Sequence, residues 1–298
     1  MVRIIETKKD RPLAWTLKEK IVLITGGNTG IGRAAAIELA QRGAEVLFTS
    51  RDPEAGERAR VEISRAAGHD VTCLPLDLAW FSSIRKLADA VLVGWPALHV
   101  LINNAGAVLT RRSETVEGFE TTLGVNHVGH FLLTTLLLDR IKNSAPARII
   151  NVSSRAHLRA VTGLDFGDLQ SRRHYRGFLA YSRSKLANIY FTRELARRLE
   201  GTEVTANAVH PGLVATRFAQ DRDTRWLGAL MRLGTWFMLS PEQGADTVVY
   251  CASDPELSAS GKYFVHRRES TPSRAAQDDD AARRLWEETE RWIREGHP

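Results

Sequence analysis

The sequence predicts an α/β protein in which helices cover both faces of a doubly wound parallel sheet. Short apolar runs alternate with helical patterns of about 12–20 residues along most of the chain. Continuously apolar strands need cover on both faces, and helical crossovers make neighbouring strands parallel. No linker or internal repeat interrupts the alternation, so we expect residues 1–298 to form one domain.

The predicted strands are short and apolar. A glycine-rich turn and a helix over about residues 31–42 follow the first strand, Ile21–Ile24. Gly43 ends that helix and Pro53 begins the next, in keeping with the positions these residues favour at helix termini. Further strands are predicted over Val46–Thr49, Val71–Leu76, Val100–Ile102, Arg148–Val152, Val204–Val209 and Tyr263–Val265.

Two segments depart from this alternation. Residues 216–239 form a helical stretch rich in arginine and apolar residues, including Trp226 and Trp236. This stretch is amphipathic and lies between a strand and a helix. It therefore has three possible roles: a lid over a lipophilic substrate, a peripheral membrane contact or an oligomer interface. Residues 278–295 predict a final amphipathic helix that packs back on the body. Its apolar side chains are Leu285, Trp286, Trp292 and Ile293.

The charge of the chain does not indicate a nucleic-acid partner. Lys and Arg number 41 and Asp and Glu number 35, which gives a net charge of +6. Basic and acidic residues are interleaved over the whole length, and no basic run alternates with aromatic side chains as single-strand binding requires. We expect a solvated, arginine-rich surface.

The sequence predicts no disulfide, metal site or membrane span. Cys73 and Cys251 lie far apart in apolar surroundings, which favours two buried thiols, and no metal-ligand spacing occurs. The apolar stretch 131–138 is much shorter than the roughly 18–20 residues that a bilayer requires. Residues 1–15 are charged and lack the apolar core of a signal peptide. We expect a soluble, cytoplasmic protein.

A glycine-rich turn, Thr25–Gly32, lies between the first strand and the first helix. Gly26 permits a tight turn, while Gly30 and Gly32 let the backbone approach a pyrophosphate that the N–H groups of the helix bind. The spacing is not that of a Walker loop, because no Gly-Lys-Ser/Thr follows. The cofactor-binding residues predicted here are Gly26, Asn28, Thr29, Gly30, Ile31 and Gly32.

The end of the second strand predicts a preference for NADP(H) over NAD(H). An acidic residue about 20 positions after the turn would bind the ribose 2′-hydroxyl and repel a 2′-phosphate. Ser50 stands at that place and Arg51 follows it, and a guanidinium can pair with a phosphate. Asp52 could cap the next helix or bind Arg51, and its position before Pro53 favours the cap.

Two further strand ends carry candidate cofactor contacts. Asp77 and Leu78 follow the third strand, and Asn103, Ala105 and Gly106 follow the fourth. Ligands of doubly wound sheets bind at the carboxyl ends of strands near the switch point. Taken alone, the aspartate could also be a helix N-cap and the second group a simple turn.

Tyr181 and Lys185 open a long predicted helix, and residues four apart share one helix face. A nearby cation favours a phenolate and lowers the pKa of a tyrosine, which suits a general acid for a carbonyl oxygen. Ser153 and Ser154 end a preceding strand and strengthen this prediction.

Together these motifs resemble the short-chain dehydrogenase/reductase superfamily over about residues 20–294, and most sharply its branch of retinol dehydrogenases and WW-domain oxidoreductase-like proteins. The segments that carry the narrower resemblance are Val125–Leu133, Asn151–His157, Asp168–Gln170, Ser184–Asn188, Phe191–Leu195, His210–Gly212 and Ser260–Phe264. The resemblance implies a Rossmann-type fold and reversible hydride transfer between NADP(H) and a carbonyl or alcohol.

The resemblance also implies a catalytic tetrad of Asn126, Ser154, Tyr181 and Lys185. Ser154, rather than Ser153, would hold the carbonyl oxygen, and Tyr181 would transfer the proton. Lys185 would lower the pKa of Tyr181 and bind the nicotinamide ribose, and Asn126 would hold a water in a proton relay. The carboxamide end of the cofactor is expected against Pro211, Gly212, Val214 and Thr216.

Ser154 and Tyr181 are about twice as far apart in sequence as is common in the superfamily, an insertion that the branch shares. We therefore expect residues 157–178 to loop out over the substrate pocket. His127 and His130 fall in a helix interior and are interpreted as packing or capping groups rather than bases.

The predicted activity is that of an NADP(H)-dependent dehydrogenase acting on a lipophilic aldehyde, ketone or alcohol, in a homodimer or homotetramer. One alternative is a nucleotide-sensing scaffold or regulatory protein of the same fold, against which the intact tetrad argues. A second is a protochlorophyllide reductase-like enzyme, for whose cysteine set Cys73 and Cys251 are poor matches. An enoyl reductase is disfavoured, because similar enzymes separate the tyrosine and lysine by more residues.

Overall fold

The computed structural model describes residues 15–212 and 239–298. Its centre is one eight-stranded sheet with the strand order β3-β2-β1-β4-β5-β6-β7-β8. All neighbouring strands are parallel except β7 and β8, which are antiparallel. The strands are β1 Ile21–Ile24, β2 Glu45–Ser50, β3 Thr72–Pro75, β4 Val100–Asn103, β5 Ala147–Val152, β6 Val204–His210, β7 Tyr263–Val265 and β8 Arg268–Glu269.

Helices connect the parallel strands, as predicted. The α-helices in the described part of the chain are α1 Gly30–Gln41, α2 Pro53–Ala67, α3 Phe81–Gly94, α4 Thr121–Leu123, α5 Gly129–Asn143, α6 Gly177–Arg198, α7 Pro241–Ser253 and α8 Asp279–Glu295. A π-helical turn, Gly124–Val128, joins α4 to α5, and a 3₁₀ turn, Arg155–Arg159, follows β5. None of the helices in these two ranges is long and apolar enough to cross a membrane.

Alternation along each strand divides the core into two layers. Leu23 of β1 faces the layer under α3, α5, α6 and α8, whereas its neighbours Val22 and Ile24 face the layer under α1, α2 and α7. Since side chains alternate between the two faces of a sheet, an apolar strand of this kind serves both layers at once. The predicted doubly wound parallel sheet is confirmed.

The C-terminal helix α8 packs on α6, as predicted. Asp278 caps its first turn by accepting a 2.9 Å hydrogen bond from the N–H of Ala281. The Trp286 ring stacks on Phe191 of α6 and meets Phe131 of α5 edge-on at 4.6 Å between centroids. The helix thereby covers the core layer that also contains Phe131 and Phe191.

Both cysteines are free thiols, as expected, but only one is buried. Cys251 is buried within α7, and burial raises its pKa to about 12. Cys73 is half-buried, so the prediction of two buried thiols was wrong for this residue. Its strand, β3, is at the edge of the sheet, where cover is incomplete.

Candidate active site

The order of the sheet places a switch point between β1 and β4. The connection that follows β1 and the connection that follows β4 run to opposite faces of the sheet. This arrangement leaves a crevice at the carboxyl ends of the two strands. The predicted site residues within the described ranges lie in segments that follow β1, β2, β3, β4, β5 and β6, all at this one edge. The structure therefore brings together residues as far apart in sequence as Gly26 and Gly212, because the order of the strands places them at one edge and no local pattern does.

The glycine-rich turn after β1 has the geometry that its glycines permit. Gly26 and Gly30 have φ angles of +66° and +54°, a region that strongly favours glycine. At Gly32 a Cβ atom would lie 2.3 Å from the carbonyl oxygen of Gly26, so α1 could not approach the turn so closely with any other residue. Thr29 is the N-cap residue of α1, and its side chain makes no capping hydrogen bond. Asn28 lies in the same turn, and Ile31 is the second residue of α1.

Thr25 joins this turn to the segment after β4, a role that was not predicted, since only its place before the glycines marks it in the sequence. Its hydroxyl oxygen accepts hydrogen bonds from the N–H groups of Asn104, at 2.9 Å, and Ala105, at 3.0 Å. The Asn104 amide in turn donates to the carbonyl oxygen of Thr25 at 2.8 Å. Ala105 and Gly106 are thereby held beside the glycine-rich turn.

The end of β2 presents Arg51 to solvent. Ser50 is buried, and its hydroxyl donates a 2.7 Å hydrogen bond to the carbonyl oxygen of Asp52. The Asp52 carboxylate accepts a 3.0 Å bond from the N–H of Ala55 and caps α2, which confirms the cap predicted for it. Because that carboxylate is engaged by the helix, the exposed Arg51 guanidinium remains available to an anion.

Asp77 and Leu78 follow β3 without capping α3. The Asp77 carboxylate accepts a 2.9 Å bond from the N–H of Ala79, whereas the N-cap position of α3 is Trp80. Leu78 lies against α5, where a Cβ on Gly129 would be 2.7 Å from the Leu78 carbonyl oxygen. The helix-cap alternative for Asp77 is thus wrong.

Asn103 was predicted to contact the cofactor, but its side chain points into the protein. It is buried, and its amide donates to the Thr134 hydroxyl at 2.9 Å and to the Asn151 side-chain oxygen at 2.8 Å. Asn151 donates onward to Thr192 at 2.9 Å. These bonds join β4, β5 and α6 beneath the site, so the side chain of Asn103 supports the site from inside.

Ser154 and Tyr181 meet at the end of β5, where their side chains share a hydrogen bond. The Ser154 hydroxyl oxygen also accepts a 3.1 Å bond from the N–H of Ala156, which leaves its proton free for the phenol. The neighbouring Ser153 is buried, and its hydroxyl donates to the backbone carbonyl oxygen of Lys185 at 2.7 Å. Of the two serines, Ser154 is the one that faces the tyrosine.

Lys185 is close to Tyr181 but does not lower its pKa as the sequence predicted. The Lys185 Nζ atom lies 5.6 Å from the centre of the Tyr181 ring and donates a 2.9 Å hydrogen bond to the carbonyl oxygen of Val152. Burial lowers the pKa of Lys185 to about 8. The pKa of Tyr181 is raised, since burial outweighs the opposing effect of the Ser154 hydrogen bond. The phenol therefore keeps its proton at neutral pH.

Asn126 lies in the π-helical turn and is held by neighbouring protein groups. Its side-chain oxygen accepts a 2.7 Å bond from the N–H of Ala107, and its amide donates to the Ala107 carbonyl oxygen and to Ser184, each at 2.9 Å. These bonds tie the segment after β4 to the helix that carries Tyr181. The role in a proton relay stays a prediction, and the Asn126 side chain acts here as a tie between elements.

The two predicted histidines are buried structural groups. His130 bonds to Thr25 through Nε2 at 2.8 Å and to the Asn126 carbonyl oxygen through Nδ1 at 3.1 Å. His127 bonds to Thr289 of α8 at 3.0 Å. Burial lowers the pKa of His127 to about 3 and that of His130 to about 4. Their interpretation as packing groups is confirmed.

Residues 157–178 are packed on the body over part of their length and do not simply loop out. Tyr175 donates hydrogen bonds to the Leu109 carbonyl oxygen at 3.1 Å and to the buried Glu120 carboxylate at 3.3 Å. The Gln170 side-chain oxygen accepts a 2.8 Å bond from the N–H of Glu120. These anchors were not predicted, because an isolated tyrosine or glutamine in a long insertion has no pattern that marks it.

Pro211 and Gly212 follow β6 at the same edge, and Gly212 has a φ of +91°. Val214 and Thr216, predicted beside them, lie outside the described residues, as does the predicted lid over 216–239 except for Leu239. Within the described ranges, no cluster of His, Cys, Asp and Glu could hold a metal ion.

A glycine-rich turn at a switch point, with Tyr181 of α6 beside Ser154 at the end of β5, is typical of oxidoreductases that bind a dinucleotide. Within this class, the chain belongs to the short chain dehydrogenase family, whose model matches residues 20–166 and 167–226.

The relatives place it in the retinol dehydrogenase-like branch. It is 48% identical to retinol dehydrogenase 12 of Mus musculus over 269 residues, 90% of this chain and 84% of the relative. It is 46% identical to retinol dehydrogenase 11 of Homo sapiens over 274 residues, 91% of this chain and 85% of the relative.

Solved structures agree with this fold. An uncharacterized protein from Mycobacterium paratuberculosis is 35% identical, with a TM-score of 0.74 over 95% of this chain and 96% of that one. The RhlG/NADP active-site complex of Pseudomonas aeruginosa is 28% identical, with a TM-score of 0.68 over 85% of this chain and 97% of that one.

Proposed function

We propose that this oxidoreductase transfers a hydride between NADP(H) and a lipophilic aldehyde, ketone or alcohol. The observation that carries the proposal is the hydrogen bond between Ser154 and Tyr181 at the end of β5. The two hydroxyl groups lie side by side there, and on substrate binding the Ser154 proton would turn from the phenol to the carbonyl oxygen, so that both groups donate to it. Such preorganised donors stabilise the negative charge that develops on that oxygen during reduction.

Tyr181 is the proposed general acid. Burial raises its pKa, so the phenol is protonated at neutral pH and can give its proton to the carbonyl oxygen. Lys185, whose pKa burial lowers to about 8, is still largely protonated at pH 7 and carries a positive charge 5.6 Å from the ring centre. We propose that this ammonium group binds the nicotinamide ribose when the cofactor is present.

The residues of the turn fit a dinucleotide. A Cβ at Gly32 would strike the Gly26 carbonyl oxygen and the Asn104 amide, so the close packing there depends on glycine. The first N–H groups of α1 point from this turn without a side-chain cap, as an anion-binding helix start requires. When bound, the nicotinamide ring would give or accept the hydride.

The NADP(H) preference rests on Arg51. It is exposed at the end of β2, where the ribose of a bound dinucleotide would lie, and Asp52 is occupied as the cap of α2. A solved relative, RhlG, is described in complex with NADP. The guanidinium can form a charge-assisted hydrogen bond with the 2′-phosphate of NADP(H), a group that NAD(H) lacks.

The lipophilic substrate class rests on the apolar surface next to the acid. Phe178, one turn before Tyr181 on α6, is 58% exposed, and its ring centre lies 6.4 Å from that of Tyr181. The relatives described above carry the name retinol dehydrogenase. We also propose a cytoplasmic location, on the composition of the sequence, and a homodimer or homotetramer, on the resemblance.

The test is NADPH oxidation against straight-chain aldehydes of graded length and a retinoid aldehyde. We expect KM to fall as the apolar chain grows. Phe178→Ala should raise KM for the long aldehydes and leave the shortest nearly unchanged. Val93→Ala, which removes a side chain that is 89% exposed on α3, is the matched control and should alter neither.

Two results would contradict the proposal. Binding of NADPH without turnover of any carbonyl would favour the nucleotide-sensing alternative. A KM that is independent of chain length would remove the argument for a lipophilic substrate. Reduction of protochlorophyllide in light would instead support the pigment-reductase alternative.

A further inference from the structure

We propose that His157 is a positioning residue that holds Ser154 against Tyr181 by tying the turn after β5 to the C-terminal segment. The inference rests on the proposed function, in which Ser154 and Tyr181 share the carbonyl oxygen.

The ring of His157 bridges two backbone segments. It is 1% exposed, and its Nδ1 atom lies 2.7 Å from the carbonyl oxygen of Ser154. Its Nε2 atom lies 3.1 Å from the backbone nitrogen of Ser273, which is 116 residues further along the chain. The ring also meets Tyr263 of β7 edge-on, at 5.2 Å between centroids.

The chemistry of the two partners fixes the tautomer. A backbone N–H can only donate, so Nε2 accepts from Ser273 and carries no proton. A carbonyl oxygen can only accept, so Nδ1 carries the proton and donates to Ser154. The imidazole is therefore neutral with both nitrogens satisfied, and it cannot serve as a proton donor or acceptor for a substrate without losing one bond.

The Ser154 end of this bridge is the reactive one. The Ser154 carbonyl oxygen also accepts a 3.1 Å bond from the N–H of His157, and its hydroxyl accepts one from Ala156. The ring and N–H of His157 thus hold the peptide group of Ser154, while the Ala156 N–H holds its hydroxyl, which meets the phenol of Tyr181.

The Ser273 end is tied to the helix of the general acid. Tyr190, on α6 with Tyr181 and Lys185, donates a 2.7 Å bond to the carbonyl oxygen of Ala275. The N–H of Ala276 bonds back to Ser273. The C-terminal segment thus bonds both to α6 and, through His157, to Ser154, and so sets the distance between the two donors. A misplacement of about 1 Å in such a site can cost about 100-fold in rate.

The experiment compares three substitutions of His157. His157→Phe keeps a ring against Tyr263 and loses both bonds. His157→Asn places an amide donor where Nδ1 stands, and His157→Gln places its amide near Nε2 without the donor to Ser154. His99→Phe is the control, since Nδ1 of His99 accepts a 3.1 Å bond from the N–H of Ile21 at the opposite edge of the sheet.

Two readouts are measured: aldehyde reduction, and the ¹³Cζ resonance of Tyr181 in tyrosine-labelled protein at pH 7, with Ser154→Ala as the reference. We expect His157→Phe and His157→Gln to lower kcat by about tenfold or more, with KM and the Kd of NADPH within about threefold. Their Tyr181 resonance should move to that of Ser154→Ala. His157→Asn should restore both readouts, and His99→Phe should change neither.

The outcomes separate this inference from the proposed function. An unshifted Tyr181 resonance in His157→Phe or His157→Gln would overturn the positioning role, as would failure of His157→Asn to restore it. If the wild-type protein reduces no carbonyl, the proposed function fails, and the resonance still decides whether His157 positions Ser154. Should His157→Phe not fold, the comparison of His157→Gln with His157→Asn gives the answer.

Discussion

The side chains of Thr25 and His130 are joined by a 2.8 Å hydrogen bond, although 105 residues separate them in sequence. Nδ1 of His130 donates to the Asn126 carbonyl oxygen, so Nε2 is the acceptor and the threonine hydroxyl is the donor. The same hydroxyl oxygen accepts hydrogen bonds from the N–H groups of Asn104 and Ala105. One threonine thereby connects the glycine-rich turn, the segment after β4 and the π-helical turn that carries Asn126.

Thr25→Val is the substitution that tests this connection. Valine has the same shape but leaves the N–H of Ala105 and one nitrogen of His130 without partners, and it removes one of the two acceptors of the Asn104 N–H. We expect a loss of about 1–3 kcal/mol in the free energy of unfolding and weaker NADPH binding. Urea unfolding and NADPH fluorescence titration measure the two effects. Thr72→Val, in the edge strand β3, is the control, and an equal effect there would refute the special role of Thr25.

The buried histidines predict a stability that falls in mild acid. Burial lowers the pKa of His127 to about 3 and of His130 and His210 to about 4, from the ordinary 6.5. Between these values the unfolded chain binds protons that the folded protein does not, so stability rises with pH through that range. Each such histidine contributes a slope of up to about 1.4 kcal/mol per pH unit.

Urea unfolding between pH 7.5 and 5 measures this slope. We expect the free energy of unfolding to fall steadily below about pH 6.5, and His127→Gln to reduce the slope by about one histidine. His174→Gln, which changes an exposed histidine, is the control. A free energy that stays constant from pH 7.5 to 5 would contradict the burial of these side chains.

Because Trp286 is buried, we expect α8 to contribute strongly to the stability of the fold. It is 4% exposed, it packs on Phe131 and Phe191, and the Arg198 guanidinium lies 4.3 Å from its ring centre. We expect Trp286→Ala to cost about 3–5 kcal/mol in the free energy of unfolding. Trp80→Ala removes a ring that is 43% exposed and should cost far less. Similar losses for the two variants would contradict the packing of α8.

The fold could be predicted from the sequence because its signals are local and strong. The strand at Ile21–Ile24, the cap at Asp52 and the final helix with Trp286 each follow from short-range patterns. The two-residue strand β8 was not predicted, since Arg268 and Glu269 are too few to show an alternation. The order of the strands was not predicted either, because pairing joins segments that are remote in sequence.

The site could be predicted only in part, for the same reason. Glycine spacing predicted the tight turn after β1, and the Tyr181–Lys185 interval predicted that these two side chains lie close together. The direction of a single side chain could not be predicted, because it depends on neighbours in space. Asn103 points inward and bonds to Thr134, and the Lys185 ammonium bonds to the carbonyl oxygen of Val152. Burial raises the pKa of Tyr181, and the spacing of four residues between Tyr181 and Lys185 carries no information about burial.

Arg51 predicts the choice between the two reduced cofactors. A charge-assisted pair with a 2′-phosphate is worth about 1.5–3 kcal/mol, or roughly 10- to 150-fold in kcat/KM. We expect the wild type to prefer NADPH by such a factor and Arg51→Ala to lose most of it. Arg58→Ala is the control, since Arg58 lies on α2 in an exposed pair with Glu54. Equal use of NADPH and NADH by the wild type would refute the assignment.

The central claim, that Tyr181 is the general acid beside Ser154, is tested by one measurement on Tyr181→Phe. The rate of aldehyde reduction by the preformed NADPH complex is followed in a single turnover, with Tyr250→Phe as the control. Because a positioned general acid contributes about 10²- to 10⁴-fold, we expect a loss of that size in Tyr181→Phe with the Kd of NADPH nearly unchanged. A rate above about a third of the wild-type value would contradict the account.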